Sequence, residues 1–452
     1  MSIHPLPLTY RTDLLRKIYE HLQAGKCGAL YGVASSGKSR LVEFMGRPDV
    51  RQHYQQYFGD WTKVLFPWVD GNDLLEYTEW GLCEKILSAI ITDLGQLSER
   101  GGATRQTAQE WYWKLVLPEN RQLARRLLMY ALDDLSDYHV VLLLDDLDEF
   151  ITQANEGIYR GLRSLRDHFK RDNQYRLLYL LIARRQLTDL REEEDAPAFE
   201  SFLELFKNFS HPIGCYNYDD ALFMIRRLAD AYQLPGRTFT NEVAEQLIEV
   251  TGWHGGLIDA SFHSGKETDW SRLGLARALI PSAGVWNECV SIYESLVEDN
   301  RTALIKVATG GDPGLAATRF LEDAGLVRRR QSRAPQTMEL LRLFLAEQDQ
   351  HEPRIQLYPD RRAMSVGSHT IGLTEREFLI MQHLYQRRGQ DCSYFELHEA
   401  LTSTAPFGDA AKEEMNKLLH RIDNKISSGS RRRILMHTPG RSCRLIGVEA
   451  VN

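Results

Sequence analysis

The chain reaches its first short apolar run at residues 26–32 (KCGALYG), which ends in glycine and leads through VASSGKS into the helix-like RLVEFM. This order predicts a strand, a loop and a helix. Further apolar runs follow at 63–71 (KVLFPWVDG), 140–146 (VVLLLDD) and 176–185 (RLLYLLIARR), with an amphipathic stretch near 79–94 and a helical segment around 157–171 between them. Such runs, separated by helices, read as strands of a parallel sheet, because a strand covered on both faces has no solvent side to keep polar. Residues 1–190 are therefore expected to form a doubly wound α/β core.

Beyond this core the periodicity changes. Segments 218–234 and 240–252 place apolar residues at spacings of three and four, which predicts amphipathic helices and a small helical lid over 191–270. Residues 271–346 hold three helical segments, the short LVRRR, a polar turn and MELLRLFLAEQ, an order that suggests an inner winged helix. The polar stretch 347–354 reads as a linker. In 355–448, short alternating strands precede LTEREFLIMQHL, where Thr374 and Glu377 form a capping box and Phe378, Met381, Leu384 and Tyr385 line one face. A second helix, a loop, the helix AKEEMNKLLHRIDNKI and two strands flanking Pro439-Gly440 complete a second winged helix.

Composition narrows the class. With 452 residues, 43% hydrophobic and 26% charged, the chain has enough apolar material for several cores, and disorder is excluded as its default. No uncharged apolar run approaches the roughly 18 residues of a spanning helix, and the N-terminus lacks the apolar core of a signal peptide, so a cytoplasmic protein without a membrane partner is expected. The six cysteines (Cys27, Cys83, Cys215, Cys289, Cys392, Cys443) contain no Cys-x-x-Cys pair. They indicate neither a zinc module nor a disulfide framework and are expected to be ordinary buried thiols. The formal charge of −7 is segregated: residues 353–452 carry +4 and the rest −11. An acidic body thus bears a basic end, which reopens the nucleic-acid reading that the average discouraged.

The most specific chemistry lies in Gly32-Val33-Ala34-Ser35-Ser36-Gly37-Lys38-Ser39, which satisfies G-x-x-x-x-G-K-[ST]. In such a loop backbone N–H groups wrap phosphates, the lysine reaches the terminal ones and the serine ligates magnesium. Gly32, Ser35, Ser36, Gly37, Lys38, Ser39 and Arg40 are the candidate binders of ATP or ADP. A second acid must complete the magnesium shell from the end of a neighbouring buried strand. Asp145 supplies it, and with Ser39 it is the candidate Mg2+ ligand. Asp146 is the candidate for orienting the attacking water, with Asp148 and Glu149 competing for that task. An aspartate is one methylene shorter than the glutamate often found there, so slow hydrolysis is expected. Arg184, at the end of LLYLLIAR, either contacts the γ-phosphate or is a surface arginine beside Arg185.

With these motifs the chain resembles the AAA+/STAND signal-transduction ATPases, with origin-recognition-type initiator ATPases as relatives, over about residues 5–345. LTYRTDLLRKIYEHLQAG, VLFPWVDG, the LRSLRD helix, the Arg184 position and TGWHGGLI (251–258) carry the rest of the likeness. It implies that Arg11 lies in an adenine-proximal segment and that His254, matching the histidine of the family's Gly-Gly-His-Pro, lies near the nucleotide; Trp253 and Gly255 depart from that pattern. It also implies a switch in which ATP holds lid and winged helix in one arrangement and hydrolysis or exchange releases it, with nucleotide-dependent self-association.

In the basic segment, Met415, Leu418, Leu419, Ile422 and Ile426 form an apolar stripe, which leaves Lys417, His420, Arg421 and Asn424 on the opposite side of one helix. Such side chains read base edges in the major groove, and Arg431, Arg432, Arg433 and Arg441 on the hairpin are candidate phosphate contacts. A solvated helix face and a charged loop would show the same pattern. The order of elements resembles the effector domain of OmpR-type response regulators, through LTEREFLIMQHL, RIDNKI and HTPGRSCRLIG, with Cys443 in place of the usual tyrosine and Asn424 where lysine or arginine is common. That resemblance implies double-stranded DNA as a partner. For Arg328-Arg329-Arg330 in the inner module, packing onto the nucleotide domain is favoured over DNA.

These readings combine into an ATP-dependent switch that binds DNA through its C-terminal winged helix, a transcriptional or signal-transduction regulator. The alternatives are an initiator or loader ATPase acting on DNA in replication, transposition or defence, and a nucleotide-bound scaffold for an unidentified protein partner. Metalloenzyme and Ser-His-Asp hydrolase readings find no ligand or nucleophile motif.

Overall fold

The computed structural model describes residues 5–58, 63–74, 76–96, 102–171, 174–189, 197–233, 240–264, 274–329, 335–350, 355–366, 369–387, 390–402, 408–427, 435–438 and 442–445. The chain folds into two compact units. One comprises residues 1–248, 252–258 and 295–336, and the other residues 249–251, 259–294 and 337–452.

The first unit is built on a parallel sheet of six strands: β1 (Gly28–Tyr31), β2 (Val64–Leu65), β3 (Trp68–Asp70), β4 (His139–Asp145), β5 (Leu177–Ala183) and β6 (Ser210–Pro212). Their order is β2-β4-β5-β1-β6, with β3 also pairing with β4. Every residue of β1 and β5 is buried, as is β4 from Val140 onward, which explains why these segments read as unbroken apolar runs. This is an α/β fold on a parallel central sheet, as the run of strands and helices predicts. Because all the strands run the same way, the segments after Tyr31, Asp70, Asp145, Ala183 and Pro212 emerge along one edge of the sheet, where ligands bind in open α/β folds.

Helix α1 (Thr12–Gln23) buries Leu15, Ile18, Tyr19 and Leu22, and α2 (Lys38–Gly46) follows β1 through the glycine loop. Three helices, α3 (Glu79–Gln96), α4 (Gly102–Leu115) and α5 (Ala124–Asp134), are inserted between β3 and β4. They hold together through apolar contacts and a few directed bonds, including Tyr112 Oη to the buried Glu84 at 2.6 Å and Trp80 Nε1 to the Leu115 carbonyl at 3.1 Å. A buried ion pair joins Arg51 to Asp93 on α3, and Asp93 Oδ2 also accepts from the Phe66 amide at 2.8 Å. Arg328 is used inside this unit: its guanidinium lies 3.4 Å from the Trp253 ring centroid and donates to the Gly252 carbonyl at 2.7 Å. Arg329 pairs with Glu322 at 3.2 Å, and Arg330 lies outside the described residues.

In the second unit, helices Ala283–Glu294 and Glu339–Gln350 pack Trp286 edge-on against Phe344 at 4.8 Å. An antiparallel sheet follows, of β7 (Ile355–Tyr358), β8 (Ala363–Val366) and β9 (His369–Gly372). Helix α6 (Glu375–Gln386) starts at the reciprocal Thr374–Glu377 cap, and α7 (Tyr394–Leu401) at a second cap of the same kind, Ser393 with Glu396. Helix α8 is Asp409–Ser427. Strands β10 (Cys392–Ser393), β11 (Leu435–Thr438) and β12 (Ser442–Leu445) form a sheet in the order β10-β12-β11. Phe378, Met381, Leu397, Leu418, Ile422 and Leu435 meet in one core, so the apolar stripe of α8 is buried as its spacing requires.

No described helix is long and apolar enough to cross a membrane.

Candidate nucleotide site and C-terminal helix

The turn after β1 is shaped by its glycines. A Cβ on Gly32 would lie 2.5 Å from Ser36 Oγ and 3.0 Å from the Ile213 carbonyl oxygen, and Gly37 has φ +91°. Ser35 also takes a left-handed φ of 53°. The loop is thus curled tightly at the head of α2, whose N-terminal dipole and free amides favour an anion. Lys38 is buried, and its Nζ donates to the carbonyls of Gly32 at 2.8 Å and Val33 at 3.0 Å. Burial lowers the lysine's pKa, against the opposing pull of Asp146.

Asp145, at the end of β4, is wholly buried, and among the described residues neither of its carboxylate oxygens meets a partner within ordinary hydrogen-bond distance, the Ser39 hydroxyl being the side-chain donor nearby. Burial and the neighbouring Asp146 push its pKa up to about 6, with Asp70 adding to the rise and the Ser39 hydroxyl and Lys38 opposing it. Ser36 Oγ and Asp148 Oδ2 are likewise buried without a partner, and His254 Nε2 is buried near the Ala34 backbone with no bond of ordinary length. Unpaired buried polar atoms are costly, and their concentration around one loop fits a site that a ligand completes. Among the described residues no cluster of three or more His, Cys, Asp or Glu is set up to hold a metal. A magnesium ion held by Asp145 and Ser39 would take the rest of its octahedral shell from phosphate and water, as this ion commonly does.

Asp146 stands beside it with φ 50°. Its Oδ1 accepts from Arg184 Nε at 3.2 Å and its Oδ2 from Asn72 Nδ2 at 3.2 Å. The competitors are engaged elsewhere: Asp148 Oδ1 accepts from the Arg184 amide at 3.0 Å, and Glu149 from Tyr77 Oη at 3.1 Å. The guanidinium of Arg184 is 59% exposed. Burial works against its charge, but Asp146, Asp148 and Asp145 outweigh that and raise its pKa.

Arg11 is buried, with φ 48°. Its guanidinium donates to the Ser36 carbonyl at 2.8 Å and to the Gly214 carbonyl at 3.0 Å, and lies 4.9 Å from the Tyr216 ring centroid. Arg40 donates to Tyr216 Oη at 3.0 Å. His254 is fully buried, and its Nδ1 accepts from the Leu257 amide at 3.4 Å. Burial lowers its pKa to about 4; the Ala34 backbone opposes this, and Lys38 and Arg11 add to it. A neutral imidazole therefore faces the glycine loop.

The structure thus brings Lys38, Ser39, Asp145, Asp146 and Arg184 together around the loop, with Arg11 and His254 on its flanks. Sequence reasoning missed Asp70, Asn72, Tyr216 and Ser295. Asp70 is the register partner of Asp145 on the adjacent strand and accepts from both the Asn72 amide and its side chain, at 2.9 and 3.0 Å. Its signal was present, because KVLFPWVDG ends an apolar run in an acid as VVLLLDD does. Asn72, Tyr216 and Ser295, whose Oγ accepts from the Ala34 amide at 3.2 Å, carry no such signal. A separate cleft of about 420 Å3 lies over Phe66 and Trp68 and shares none of the candidate residues.

On α8, His420 and Arg421 are exposed. Lys417 is also exposed, but it pairs with Glu413 at 2.6 Å, one turn earlier. The helix is fastened by Arg376 to Glu414 at 2.5 Å and by Lys425 to the buried Glu377 at 2.6 Å. Asn424 lies on α8, but its side chain falls outside the described residues, as do Arg431, Arg432, Arg433 and Arg441 entirely.

No protein-family model matches the chain, and no curated protein matches it in sequence. Among solved structures, it is similar to the Aeropyrum pernix ORC2 protein in its ADPNP–ADP complexes, at 14% identity and TM-score 0.36 over 97% of this chain and 90% of that one. It is also similar to a Walker-type ATPase of Pyrococcus abyssi, at 14% identity and TM-score 0.42 over 74% and 95% of the two chains. The Drosophila ORC bound to DNA matches at 13% identity and TM-score 0.30 over 98% and 86%.

Proposed function

We propose that the chain is an ATP-hydrolysing switch that acts on DNA through residues 355–448, arranged as a winged helix. The observation that carries the ATPase half is the fully buried, poorly satisfied Asp145 carboxylate next to a P-loop whose lysine is already docked on the loop's carbonyls. In this reading the loop amides bind the phosphates, Lys38 neutralises their charge, and Asp146, held between Arg184 and Asn72, orients the attacking water. Magnesium, when bound, withdraws charge from the phosphate oxygens. Arg184 is placed to meet the charge that develops on the γ-phosphate. Arg11 and His254 fix the flanks of the loop, so that its shape depends on segments outside the sheet.

The DNA half rests on the exposed Arg421 and His420 on a helix whose other face is locked into a core, and on the +4 charge of residues 353–452. It takes two forms. An initiator or loader assembles on DNA and hydrolyses ATP faster there, whereas a regulator binds DNA at one nucleotide state and leaves turnover unchanged. One experiment separates them: DNA binding and ATP turnover of wild type and Lys38→Ala, each with ATP, ADP or no nucleotide, with assembly followed by size-exclusion chromatography. The proposal expects Lys38→Ala to lose ATP binding and the nucleotide dependence of DNA binding. Identical DNA binding in all six conditions would remove the switch.

A further inference from the structure

Two of the six cysteines meet across a sheet. Cys392 on β10 and Cys443 on β12 are direct partners in an antiparallel pair, with Ser393 opposite Ser442 beside them. Both cysteines are fully buried and belong to the same core as Leu397 and Leu418. Directly opposite residues of an antiparallel pair point to one face, with Cβ atoms about 4.5–5.5 Å apart. A disulfide requires Cα atoms about 4.4–6.8 Å apart and Cβ atoms about 3.5–4.5 Å apart, so the pair must draw in by up to about 1 Å to close. The backbone therefore already holds the two residues near bonding range, although they are thiols in this structure. None of the other four cysteines faces a cysteine in any described strand pair.

We propose that Cys392 and Cys443 are an oxidisable pair that closes to a disulfide under an oxidant of the peroxide class, stapling the β11–β12 hairpin to the strand that leads into α7. In the first step a sulfur attacks one oxygen of hydrogen peroxide, the O–O bond breaks, and a sulfenic acid and one water form. In the second, the other thiol attacks the sulfenic sulfur and a second water leaves as the S–S bond forms. Two thiols and one peroxide thus become one disulfide and two waters, with two electrons passing from sulfur to oxygen. A dithiol reductant reverses the change. Burial raises the Cys392 pKa and Glu396 adds to the rise, with Arg387 opposing, so the reaction proceeds through opening of β10, which is only two residues long.

Closure has a defined structural consequence. Cys392 immediately precedes Ser393, whose side chain caps α7, and β12 carries one arm of the hairpin. A bond between them links the start of α7 to the hairpin and closes a long loop that contains all of α8, the kind of cross-link that most restricts the unfolded chain. The inference is independent of the nucleotide reading.

The test uses the full chain incubated with hydrogen peroxide, then alkylated with N-ethylmaleimide, digested and analysed by mass spectrometry. The expected result is a Cys392–Cys443 linked peptide two hydrogens lighter than its reduced parts, with both thiols lost to alkylation and restored by dithiothreitol. The link is absent from Cys443→Ser and from Cys392→Ala, so that the failure of one variant to fold leaves the other to decide. Hydrogen exchange of residues 435–445 slows in the oxidised wild type and in neither variant. Recovery of both residues as alkylated thiols, as separate sulfinic acids, or linked to Cys27, Cys83, Cys215 or Cys289 overturns the proposal.

Discussion

Replacing Asp145 by asparagine tests the electrostatics of the site without changing its shape. This carboxyl titrates at about 6 instead of 3.8, so holding it ionised at neutral pH costs the fold about 3 kcal/mol. The sign follows from proton binding. Between the two pKa values the folded state keeps a proton that the unfolded state has released, so the favourable contribution is complete below pH 3.8 and is lost as pH rises through 6. Asparagine carries no such penalty. The variant is therefore expected to be more stable than wild type by about 3 kcal/mol at pH 7.5, by about half that at pH 5, by about 0.5 kcal/mol at pH 4, and by nothing well below pH 3.8. Denaturant unfolding of the full chain, without nucleotide or magnesium and followed by a probe in the first unit, measures this directly. Magnesium-dependent ATP turnover should vanish in the same variant. A variant no more stable than wild type at pH 7.5, or a gap that does not change with pH, would refute the assignment of Asp145 as an uncompensated buried acid.

Asn72→Ala removes one of the two side-chain donors that fix Asp146; ATP turnover should change several-fold while the Kd for ATP, read by nucleotide titration, stays within about a factor of two, since Asn72 is asked to position and not to bind. Gly32→Ala places a methyl 2.5 Å from Ser36 Oγ and 3.0 Å from the Ile213 carbonyl; a loss of about 1–3 kcal/mol in denaturant unfolding is expected, together with loss of nucleotide binding. Arg51→Ala leaves Asp93 buried with only the Phe66 amide, and destabilisation of about 3–5 kcal/mol is expected. Restoring neutrality with Arg51→Met in an Asp93→Asn background should recover most of it.

How much of this was legible follows from what each residue has to satisfy. The strands were readable because burial on both faces forces unbroken apolar runs, and β4 and β5 fall where VVLLLDD and LLYLLIA predict them. The loop was readable because Gly32, Gly37 and Lys38 each meet a local requirement. Asp145 followed as the acid that ends a buried strand. Asn72 and Tyr216 were not readable, because their partners Asp146 and Arg11 lie 74 and 205 positions away in the chain and only the fold brings them together. That Asp146, and not Asp148 or Glu149, bonds to the Arg184 side chain depends on a left-handed backbone at Asp146 that sequence does not announce. Cys392 and Cys443 read as ordinary buried thiols, since their spacing of 51 residues fits no motif and only strand register sets them face to face. Lys417 illustrates the reverse limit: its place on the polar face is as predicted, but Glu413 already claims its charge, which shifts the weight of any base contact toward Arg421.

The unsatisfied atoms around the glycine loop tie these points together. Away from the loop, the buried Arg51 and Glu84 have partners in Asp93 and Tyr112, although Arg51 Nε, Arg166 Nε and Arg227 Nε also lack one. At the loop, Ser36 Oγ, the Asp145 carboxylate and Asp148 Oδ2 are left short of partners, and on the function proposed above this cost is relieved when a ligand supplies the missing bonds. Binding and folding are therefore coupled at this site more strongly than its few direct contacts suggest. The coupling extends to protons. An ion that needs the Asp145 carboxylate must displace its proton below about pH 6, so magnesium-dependent nucleotide affinity should weaken as pH falls through that value, while the neutral His254, titrating near 4, contributes nothing to the change. The nucleotide's terminal phosphate also protonates at about pH 6, so a pH profile of magnesium–nucleotide affinity whose step is larger in wild type than in Asp145→Asn would assign the difference to this one carboxyl.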